Sequence, residues 1–389
     1  MKQENFNIVR DSKGKSLSPG EPGLRKPRIL VAPLDWGLGH ATRCIPVIYE
    51  LLRLDCDVWL AGEGIQEALL KEEFPGLSFL PLPGYHVHYG RSAAGMLWNL
   101  VRQSGKILRA IKDENNWLKK MVGEYGFDAV ISDNRYGLYH STIPCIFITH
   151  QLAIKTLFGK WLERLLQKRN YKYINRFTEC WVPDDESENN LAGELSHPGK
   201  KPAIPLKYTG ALSRFKSFPP VSSPAELKDH LLIILSGPEP QRTIFENRII
   251  DDIVHYPGTA TIARGLPGAV NLIPSTNTIK FYNHLPAEEL NKEMIGAEYI
   301  ISRSGYSTIM DIIKLGKKSI LIATPGQTEQ EYLAKYLQEK KIALTISQKS
   351  FSISSALQSV KSFSYTIPKI EEVKLPQVVS QFIQSLKKD

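Results

Sequence analysis

The sequence predicts an α/β protein made of two Rossmann-like, doubly wound domains that face each other across a cleft. Short apolar runs alternate with amphipathic segments along the chain, which is typical of parallel sheets covered by helices on both faces. A proline-rich stretch interrupts this alternation between residues 184 and 224, and a new apolar run begins at Leu231. With 389 residues, the chain is long enough to build two hydrophobic cores.

The first half begins with a strand, a glycine loop and a helix whose apolar residues follow helical spacing. Further short apolar runs continue the pattern, with helices between several of them. The strands predicted in this half are 28–33, 57–61, 77–80, 129–132, 145–149 and 179–182.

The second half repeats the alternation. The strands predicted here are 231–235, 260–263, 299–302 and 319–322. Helices are predicted near 286–294, from about 308, and over 328–337, and a last segment around 373–383 has helical apolar spacing.

Four segments follow from these patterns. Residues 1–23 are predicted to be a disordered tail, because they are polar and rich in Ser, Gly and Pro. Residues 24–212 are expected to form an N-terminal domain and residues 213–365 a C-terminal domain, with a linker near 212–223. Residues 366–389 are expected to form a C-terminal helix.

The cysteine spacing, the apolar runs and the net charge exclude several kinds of site, location and partner. The four cysteines are scattered without a CxxC pair, so neither a disulfide framework nor a metal site is expected. No apolar run approaches eighteen residues and the N-terminus lacks a signal pattern, so a cytoplasmic location is expected. The net charge of +9 favours an anionic ligand. Nucleic acid is not favoured, because aromatic residues are not interleaved with Lys and Arg in a recognised module pattern.

The first loop expected in the cleft runs from Asp35 to Arg43 and joins a strand to a helix. Gly37 and Gly39 let the backbone turn tightly and approach a ligand, and the helix N-terminus favours an oxyanion. The spacing departs from the GxGxxG dinucleotide fingerprint, which weakens an NAD interpretation. His40 would stand at the mouth of the cleft, either as a general base or as a cap of the helix.

The second loop begins at Arg303 and again joins a strand to a helix. Ser304, Gly305 and Thr308 are small residues at a helix start, which suits a diphosphate, and Arg303 adds positive charge. Asp311 lies further along the same helix and could reach a ribose hydroxyl. An ordinary Ser or Thr N-cap with a solvated Asp311 would explain one serine but not the whole cluster.

The third loop leads into the helix predicted at Thr328. Glu329, Gln330 and Glu331 can hydrogen-bond to sugar hydroxyls, which need paired donors and acceptors. The alternative is a capping box in which Thr328 caps the helix and Glu331 is its reciprocal partner. The two interpretations are compatible.

The fourth loop follows the strand 231–235 and carries Ser236, Gly237 and Arg242. Gly237 permits close backbone approach, and Arg242 could meet a phosphate. The prolines of this loop are equally compatible with a structural role.

Polar residues also follow strands in the first half. Asp133 and His150 are expected to face the same cleft as His40 and are candidate catalytic residues, although a polar strand end is also typical of an ordinary turn. The residues expected on the other, acceptor side of the cleft are Gly37, Gly39, Arg43, Asn134 and Arg135.

Two stretches, 96–121 and 154–176, combine apolar and basic residues. They are either core-facing helices with a solvated basic back or surfaces that dock to anionic lipid.

Three motifs together resemble glycosyltransferase family 28. They are Gly37-Leu38-Gly39-His40, Arg303-Ser304-Gly305 with Thr308 and Asp311, and Gln327-Thr328-Glu329-Gln330-Glu331. The likeness spans about residues 28–343, and the C-terminal pair of motifs is its more specific part. The resemblance implies the GT-B fold, with an acceptor-side N-terminal domain and a nucleotide-sugar donor in the C-terminal domain.

For the donor, the resemblance implies a UDP-sugar whose diphosphate would be held by Ser304 and Gly305. Asp311 falls where the family usually has a glutamate on the ribose. Gln330 and Glu331 fall where the family has a glutamine pair on the sugar, and a glutamate at the second place would change sugar preference.

At other positions, the resemblance places His284 and Leu285 beside the uracil, which they would contact through backbone groups. His150 matches a family histidine at the same strand end. Ser236 and Gly237 stand where the family has a glycine-rich stretch, so donor binding is expected to differ there.

The resemblance implies inverting transfer, in which His40 deprotonates an acceptor hydroxyl that attacks the anomeric carbon. Arg303, Arg242 and helix dipoles would stabilise the departing UDP without a metal or another cofactor. The acceptor could be lipid-linked, which would bring the chain to the inner face of a membrane.

Two alternatives stay open. Gly39-His40 followed by Arg43 also resembles the UDP-sugar hydrolase of the pseudaminic acid pathway, and the chain could also bind a nucleotide sugar without catalysis.

Overall fold

The computed structural model describes residues 25–85, 93–156, 158–217, 227–370 and 374–386, and leaves the side chains of residues 93–104 undescribed. The predicted tail, residues 1–23, and much of the predicted linker lie outside these ranges.

The N-terminal part of the chain forms a seven-stranded parallel sheet with the order β3-β2-β1-β4-β5-β6-β7. The strands are β1 Arg28–Pro33, β2 Asp57–Gly62, β3 Ser78–Pro81, β4 Ala129–Asp133, β5 Cys145–Ile148, β6 Glu179–Val182 and β7 Leu206–Tyr208. The helices are α1 Leu38–Arg53, α2 Gly64–Glu73, α3 Ala93–Tyr125 and α4 Lys160–Ile174.

The C-terminal part forms a six-stranded parallel sheet with the order β10-β9-β8-β11-β12-β13. The strands are β8 His230–Ile234, β9 Thr259–Ala263, β10 Ile279–Tyr282, β11 Tyr299–Ser302, β12 Ser319–Leu321 and β13 Leu344–Thr345. The helices are α5 Gln241–Ile253, α6 Ala287–Gly296, α7 Tyr306–Lys314, α8 Thr328–Glu339, α9 Ile353–Ser362 and α10 Lys374–Leu386.

The predicted α/β class with two doubly wound sheets is confirmed. The strands that sequence patterns missed are β7, β10 and β13, which have three, four and two residues. They are short and partly exposed, so they carry no continuous apolar run that a sequence pattern would detect.

Each sheet reverses its strand order once, between β1 and β4 in the first sheet and between β8 and β11 in the second. Ligands of open α/β sheets bind beyond the carboxyl ends of the strands at this switch point. The loop after β1 leads to His40 in the first turn of α1, and the loop after β4 holds Asn134. The loops after β8 and β11 hold Gly237 and Gly305. Topology therefore brings the predicted site loops to the crevice of each domain.

One apolar cluster connects the two sheets through α1, α7 and α10. The C-terminal helix α10 lies against α1 of the first domain, and Phe382 packs edge-on against Trp181 with ring centroids 5.6 Å apart. Both side chains are buried. Among the described residues, no helix combines the length and the hydrophobicity that crossing a bilayer requires.

We expect Phe382→Ala to lower the free energy of unfolding by about 3–5 kcal/mol, because it removes a buried aromatic ring and leaves a cavity beside Trp181. Chemical denaturation followed by circular dichroism measures this. Val254, which is 69% exposed, supplies the control, since Val254→Ala should change stability by less than about 0.5 kcal/mol. Equal effects of the two substitutions would show that α10 does not stabilise the fold.

Candidate active site

The N-terminal side of the cleft is organised by a buried ion pair between Arg43 of α1 and Asp133 at the end of β4. Arg43 Nε donates to Asp133 Oδ2 at 2.6 Å, and a second bond joins Nη2 to Oδ1. The two residues are 2% and 0% exposed. Burial alone would raise the pKa of Asp133, but Arg43 and His40 lower it to about 2. The carboxylate is therefore ionised at neutral pH.

His40 lies beside this pair. Its Nδ1 is 3.2 Å from Asp133 Oδ1 and 2.9 Å from Arg43 Nη2. Burial, followed by the charge of Arg43, lowers the pKa of His40, so the ring is neutral near pH 7. When Nδ1 carries the proton it donates to Asp133, and Nε2 is then the basic nitrogen. When Nδ1 accepts from Arg43, the proton is on Nε2 instead.

His150 links the two domains. Its Nδ1 lies 3.2 Å from Arg43 Nη1, and its Nε2 lies 2.7 Å from Glu329 Oε1 of α8. Because a guanidinium only donates, Nδ1 accepts and the Nε2 hydrogen points to Glu329. Gln151 Nε2 donates to the other oxygen of Glu329 at 2.6 Å. Burial opposes ionisation of Glu329, but the hydrogen bond from His150 and the charge of Arg43 lower its pKa overall.

The N-termini of α1 and α7 meet across the cleft. Ser307 Oγ donates to the Gly39 carbonyl at 2.7 Å, and a Cβ on Gly39 would lie only 3.0 Å from that hydroxyl. Gly39 is thus a position of close interdomain approach. At Gly305, which precedes α7, a Cβ would meet no atom within 4 Å, and the same holds at Gly37 before α1. Both helix starts therefore border open space.

Arg303, predicted to add positive charge at the second loop, is enclosed by the protein. Its side chain is 0% exposed, and Nη2 donates to the Gln241 carbonyl at 2.9 Å while Nη1 donates to Gln348 Oε1 at 2.6 Å. The guanidinium carbon lies 4.4 Å from the centre of the Phe245 ring. Burial lowers the pKa of Arg303 to about 10, so it stays charged at pH 7. Arg303 therefore connects its own loop to the segments that carry Gln241 and Gln348, and it places a positive charge near the start of α7.

The Ser304 hydroxyl is also engaged within the protein. It donates to the Gln330 carbonyl at 2.9 Å, and the Gln330 side-chain oxygen accepts from the Thr324 amide at 2.9 Å. Ser304 therefore joins the starts of α7 and α8, and a ligand would meet its main chain and that of Gly305. Thr308, one turn into α7, is half-buried.

Asp311 is buried and already has partners. Its carboxylate accepts from Ser213 Oγ at 2.8 Å and from Arg214 Nε at 3.0 Å. Burial raises the pKa of Asp311, and the charge of Arg214 opposes that shift. A ribose would have to exchange with these bonds in order to contact the carboxylate.

Arg242 also differs from the expectation of a free phosphate ligand. Its Nε donates to Glu239 Oε1 at 2.6 Å, and its Nη1 lies 3.2 Å from Glu246 Oε2. Two carboxylates therefore neutralise it. In the same loop Ser236 is half-buried, and Gly237 has φ of +104°, a conformation that favours glycine.

Arg135 corrects the acceptor-side prediction. It is 0% exposed, its guanidinium pairs with Glu114 and contacts the Pro83 carbonyl, and Glu114 in turn accepts from Tyr85. The Arg135 guanidinium is thus directed into the protein, towards Glu114 and the Pro83 carbonyl, and not towards open space. Its neighbour Asn134, with φ of +56°, takes the left-handed conformation that asparagine tolerates, and it is half-buried.

The capping box proposed for α8 is wrong. Gln327 is the N-cap and makes no side-chain capping bond, while Thr328 Oγ1 donates to the Lys155 carbonyl of the first domain at 2.8 Å. Glu331 Oε1 accepts from the Gly326 amide at 2.9 Å. Thr328 therefore supports the contact between domains.

The loop after β10 carries His284, which is half-buried, and Leu285, which is 4% exposed. Burial lowers the pKa of His284. The Leu285 side chain belongs to the core, so only its main chain can serve a ligand. In the part of the chain that the structure describes, no cluster of three or more His, Cys, Asp or Glu has metal-binding geometry.

Sequence patterns gave no role to several polar residues that hold charged side chains of the site. They are Glu114, which pairs with Arg135, and Gln241 and Gln348, which accept from Arg303. Each acts through a partner far away along the chain, so no local motif marks it.

We expect Asp133→Asn to lower the free energy of unfolding at pH 7 by about 3–5 kcal/mol, because it leaves the Arg43 charge buried without its partner. The folded pKa of about 2 lies below the ordinary value of 3.8. The contribution of Asp133 is thus fully present above pH 3.8 and is lost as the pH falls towards 2. Denaturation at several pH values should show a flatter acid dependence in the variant. Asp57→Asn, in a half-exposed pair with Arg28, is the control and should cost less than about 1 kcal/mol.

Comparison with known proteins agrees with this arrangement. The model of the glycosyltransferase family 28 C-terminal domain matches residues 277–382. The UDP-N-acetylglucosamine--N-acetylmuramyl-(pentapeptide) pyrophosphoryl-undecaprenol N-acetylglucosamine transferase of Haemophilus ducreyi is 23% identical over 347 residues, which cover 86% of this chain and 89% of that protein. An uncharacterized glycosyltransferase of Methanosarcina acetivorans is 22% identical over 330 residues, which cover 80% of this chain and 84% of that protein.

Solved structures share the fold. The glycotransferase of kitacinnamycin superposes with a TM-score of 0.59 at 14% identity, covering 94% of this chain and 96% of its own. The glycosyltransferase SnogD of Streptomyces nogalater superposes with a TM-score of 0.56 at 14% identity, covering 93% of this chain and all of its own. The fold is thus that of the GT-B glycosyltransferases, and the predicted likeness to glycosyltransferase family 28 is confirmed over residues 277–382, which match the C-terminal domain of that family.

Proposed function

We propose that this chain transfers a sugar from a UDP-sugar to a hydroxyl acceptor with inversion at the anomeric carbon. The main support for the proposal is that the N-termini of α1 and α7 meet across one cleft, where Ser307 donates a 2.7 Å hydrogen bond to the Gly39 carbonyl. The neutral His40 ring adjoins one helix start, and open space at Gly305 adjoins the other. A base and an anion site therefore face the same space. The name of the Haemophilus relative, which includes UDP-N-acetylglucosamine, supports the donor class.

In this proposal the donor diphosphate lies at the start of α7. The amides of the first helical turn have no acceptor within the helix, and the helix dipole favours negative charge there. Arg303 stays charged, and none of its hydrogen bonds is to a carboxylate. Its charge and the helix start would stabilise the departing UDP without a divalent cation. Gln330 and Glu331, at the start of α8, are proposed to contact the sugar.

His40 is the proposed base. Asp133 holds the proton on Nδ1, so Nε2 takes the proton of the acceptor hydroxyl. The acceptor oxygen forms its bond to the anomeric carbon while the bond from that carbon to the β-phosphate oxygen breaks, and UDP departs with the bonding pair. His150 is a positioning residue in this scheme, because both of its nitrogens have partners.

We expect His40→Ala to leave UDP affinity unchanged and to lower turnover by at least about a hundredfold. In the wild type, activity should fall only as the pH drops below the lowered pKa of His40, so the acid limb should have its midpoint below 6.5. Calorimetry with UDP, and UDP release from a panel of UDP-sugars with a membrane lipid extract as acceptor, measure both quantities. His140→Ala is the matched control, because His140 contacts only Thr142 among the hydrogen bonds of the described chain.

The same assay separates the alternatives. Release of free sugar without the lipid extract would identify a UDP-sugar hydrolase in which His40 activates water. Calorimetric binding of UDP without turnover, unaffected by His40→Ala, would identify a non-catalytic binder. Absence of UDP binding would contradict the proposed donor site altogether.

We further propose that the chain works at an anionic membrane surface on a lipid-linked acceptor. Three apolar side chains at the start of α4 are exposed, namely Phe158 at 58%, Trp161 at 76% and Leu165 at 51%. The exposed basic residues around them are Lys160, Arg164, Lys168 and Arg169. This combination, here called the α4 patch, suits insertion at the headgroup level beside anionic lipid. The pyrophosphoryl-undecaprenol in the name of the Haemophilus relative supports such an acceptor.

We expect Trp161→Ser to weaken binding to phosphatidylglycerol vesicles about tenfold, because it removes a large exposed ring from the α4 patch. Vesicle sedimentation at low and high salt measures the affinity and its electrostatic part. Val254→Ser, at an exposed apolar position of the C-terminal domain, should leave binding unchanged. Equal binding to neutral phosphatidylcholine vesicles would contradict the role of the basic residues.

A further inference from the structure

The Thr324 hydroxyl, just past the end of β12, lacks a hydrogen-bond partner within the described chain although it is buried. Thr324 is 2% exposed, and its Oγ1 is one of a few buried polar atoms left unpaired there. A buried hydroxyl without a partner costs free energy, so native chains rarely keep one without a use. Sequence motifs gave this residue no role.

The main chain around Thr324 is fixed from two sides. Its amide donates to Gln330 Oε1 at 2.9 Å, and the carbonyl of the preceding Ala323 lies 3.4 Å from Arg303 Nη1. Gln330 is itself bonded to Ser304. These contacts hold Thr324 against the starts of α7 and α8, where the donor is proposed to lie.

On its other side the hydroxyl faces Gly237 in the loop after β8. A Cβ built on Gly237 would lie 3.7 Å from Thr324 Oγ1. Because β11 lies between β8 and β12 in the sheet, the hydroxyl stands where these two loops close over the end of β11. Gly237 is exposed and has φ of +104°, so this covering segment has the backbone freedom of glycine.

The unpaired groups in this region share one chemical property. Arg303 Nε is also buried without a partner, and it can only donate. The Thr324 hydroxyl can donate as well. Two unpaired donors, one of them on the uncompensated Arg303 guanidinium, suit a ligand that offers acceptors and negative charge, and phosphoryl oxygens offer both.

We propose that the Thr324 hydroxyl donates a hydrogen bond to the β-phosphate, the sugar-proximal phosphate, of the bound UDP-sugar. This inference rests on the proposed function. The loop with His284, which is predicted to contact the uracil, follows β10 at one edge of the sheet. The residues predicted to contact the sugar follow β12, which lies on the other side of β11. A donor that spans this order brings its β-phosphate, and not its α-phosphate, to Thr324. The segment at Gly237 shifts to admit it.

Thr324→Val tests the proposal with two opposed readouts. The substitution keeps the shape and removes the unpaired hydroxyl, so the unliganded protein should melt at the same temperature or higher. UDP affinity should fall about tenfold, because a charge-assisted bond to the β-phosphate is lost. UMP lacks that phosphate, and its affinity should change less than twofold. Thr324→Ser keeps the hydroxyl and should keep UDP affinity. Calorimetry and thermal melting measure these quantities.

The matched control is Thr209→Val, at a buried threonine whose hydroxyl donates to the Gly210 carbonyl at 3.0 Å and lies 3.2 Å from the Val182 carbonyl. This control should lower the melting temperature and leave UDP affinity unchanged. Unchanged UDP affinity in Thr324→Val, or an equal loss for UDP and UMP, would overturn the inference. A wild type that binds neither nucleotide would instead refute the proposed function.

Discussion

The buried pair of Arg43 and Asp133 is the interaction on which the candidate active site depends. Neither charge reaches solvent, so each is tolerable only because the other compensates it. The Arg43 guanidinium also lies next to the Nδ1 atoms of His40 and His150, at 2.9 and 3.2 Å, one on either side. One guanidinium therefore sets the electrostatic environment of both histidines. Through His150 it reaches Glu329 in the other domain, so the pair also connects the two halves of the cleft.

Each side of the cleft has a buried arginine, but only the arginine on the N-terminal side is paired with a carboxylate. On the N-terminal side, Asp133 neutralises Arg43, and the site keeps a neutral imidazole that can accept a proton. On the C-terminal side, Arg303 is held by carbonyl and amide oxygens and by the Phe245 ring, so its positive charge is not cancelled. A neutral base facing a positive, donor-rich recess is suited to a reaction in which negative charge develops on a leaving phosphate.

Sequence patterns predicted the fold and the loops of this site, but not what each side chain contacts. The positions of most strands follow from local apolar runs, and Gly37, Gly39 and Gly305 mark tight strand-to-helix turns that are encoded locally. The burial of Arg303 depends on Phe245, and that of Arg135 on Glu114, and these partners lie far away along the chain. A motif shows which residue types gather at a loop, whereas the direction of a buried guanidinium is decided by the tertiary structure.

The contacts that close the cleft use groups that a sugar nucleotide would also need. Glu329 accepts from His150 and Gln151, and Ser307 donates to Gly39, so the free chain satisfies these polar groups between its own domains. A bound sugar offers hydroxyls that can both donate and accept, and it can therefore replace such bonds one for one with little loss of hydrogen-bond energy. The charge at Arg303 and the unpaired Thr324 hydroxyl have no such internal substitute. The proposed UDP-sugar donor would therefore draw most of its affinity from its diphosphate, while its sugar contacts would determine which hydroxyls are accepted and how closely the domains approach.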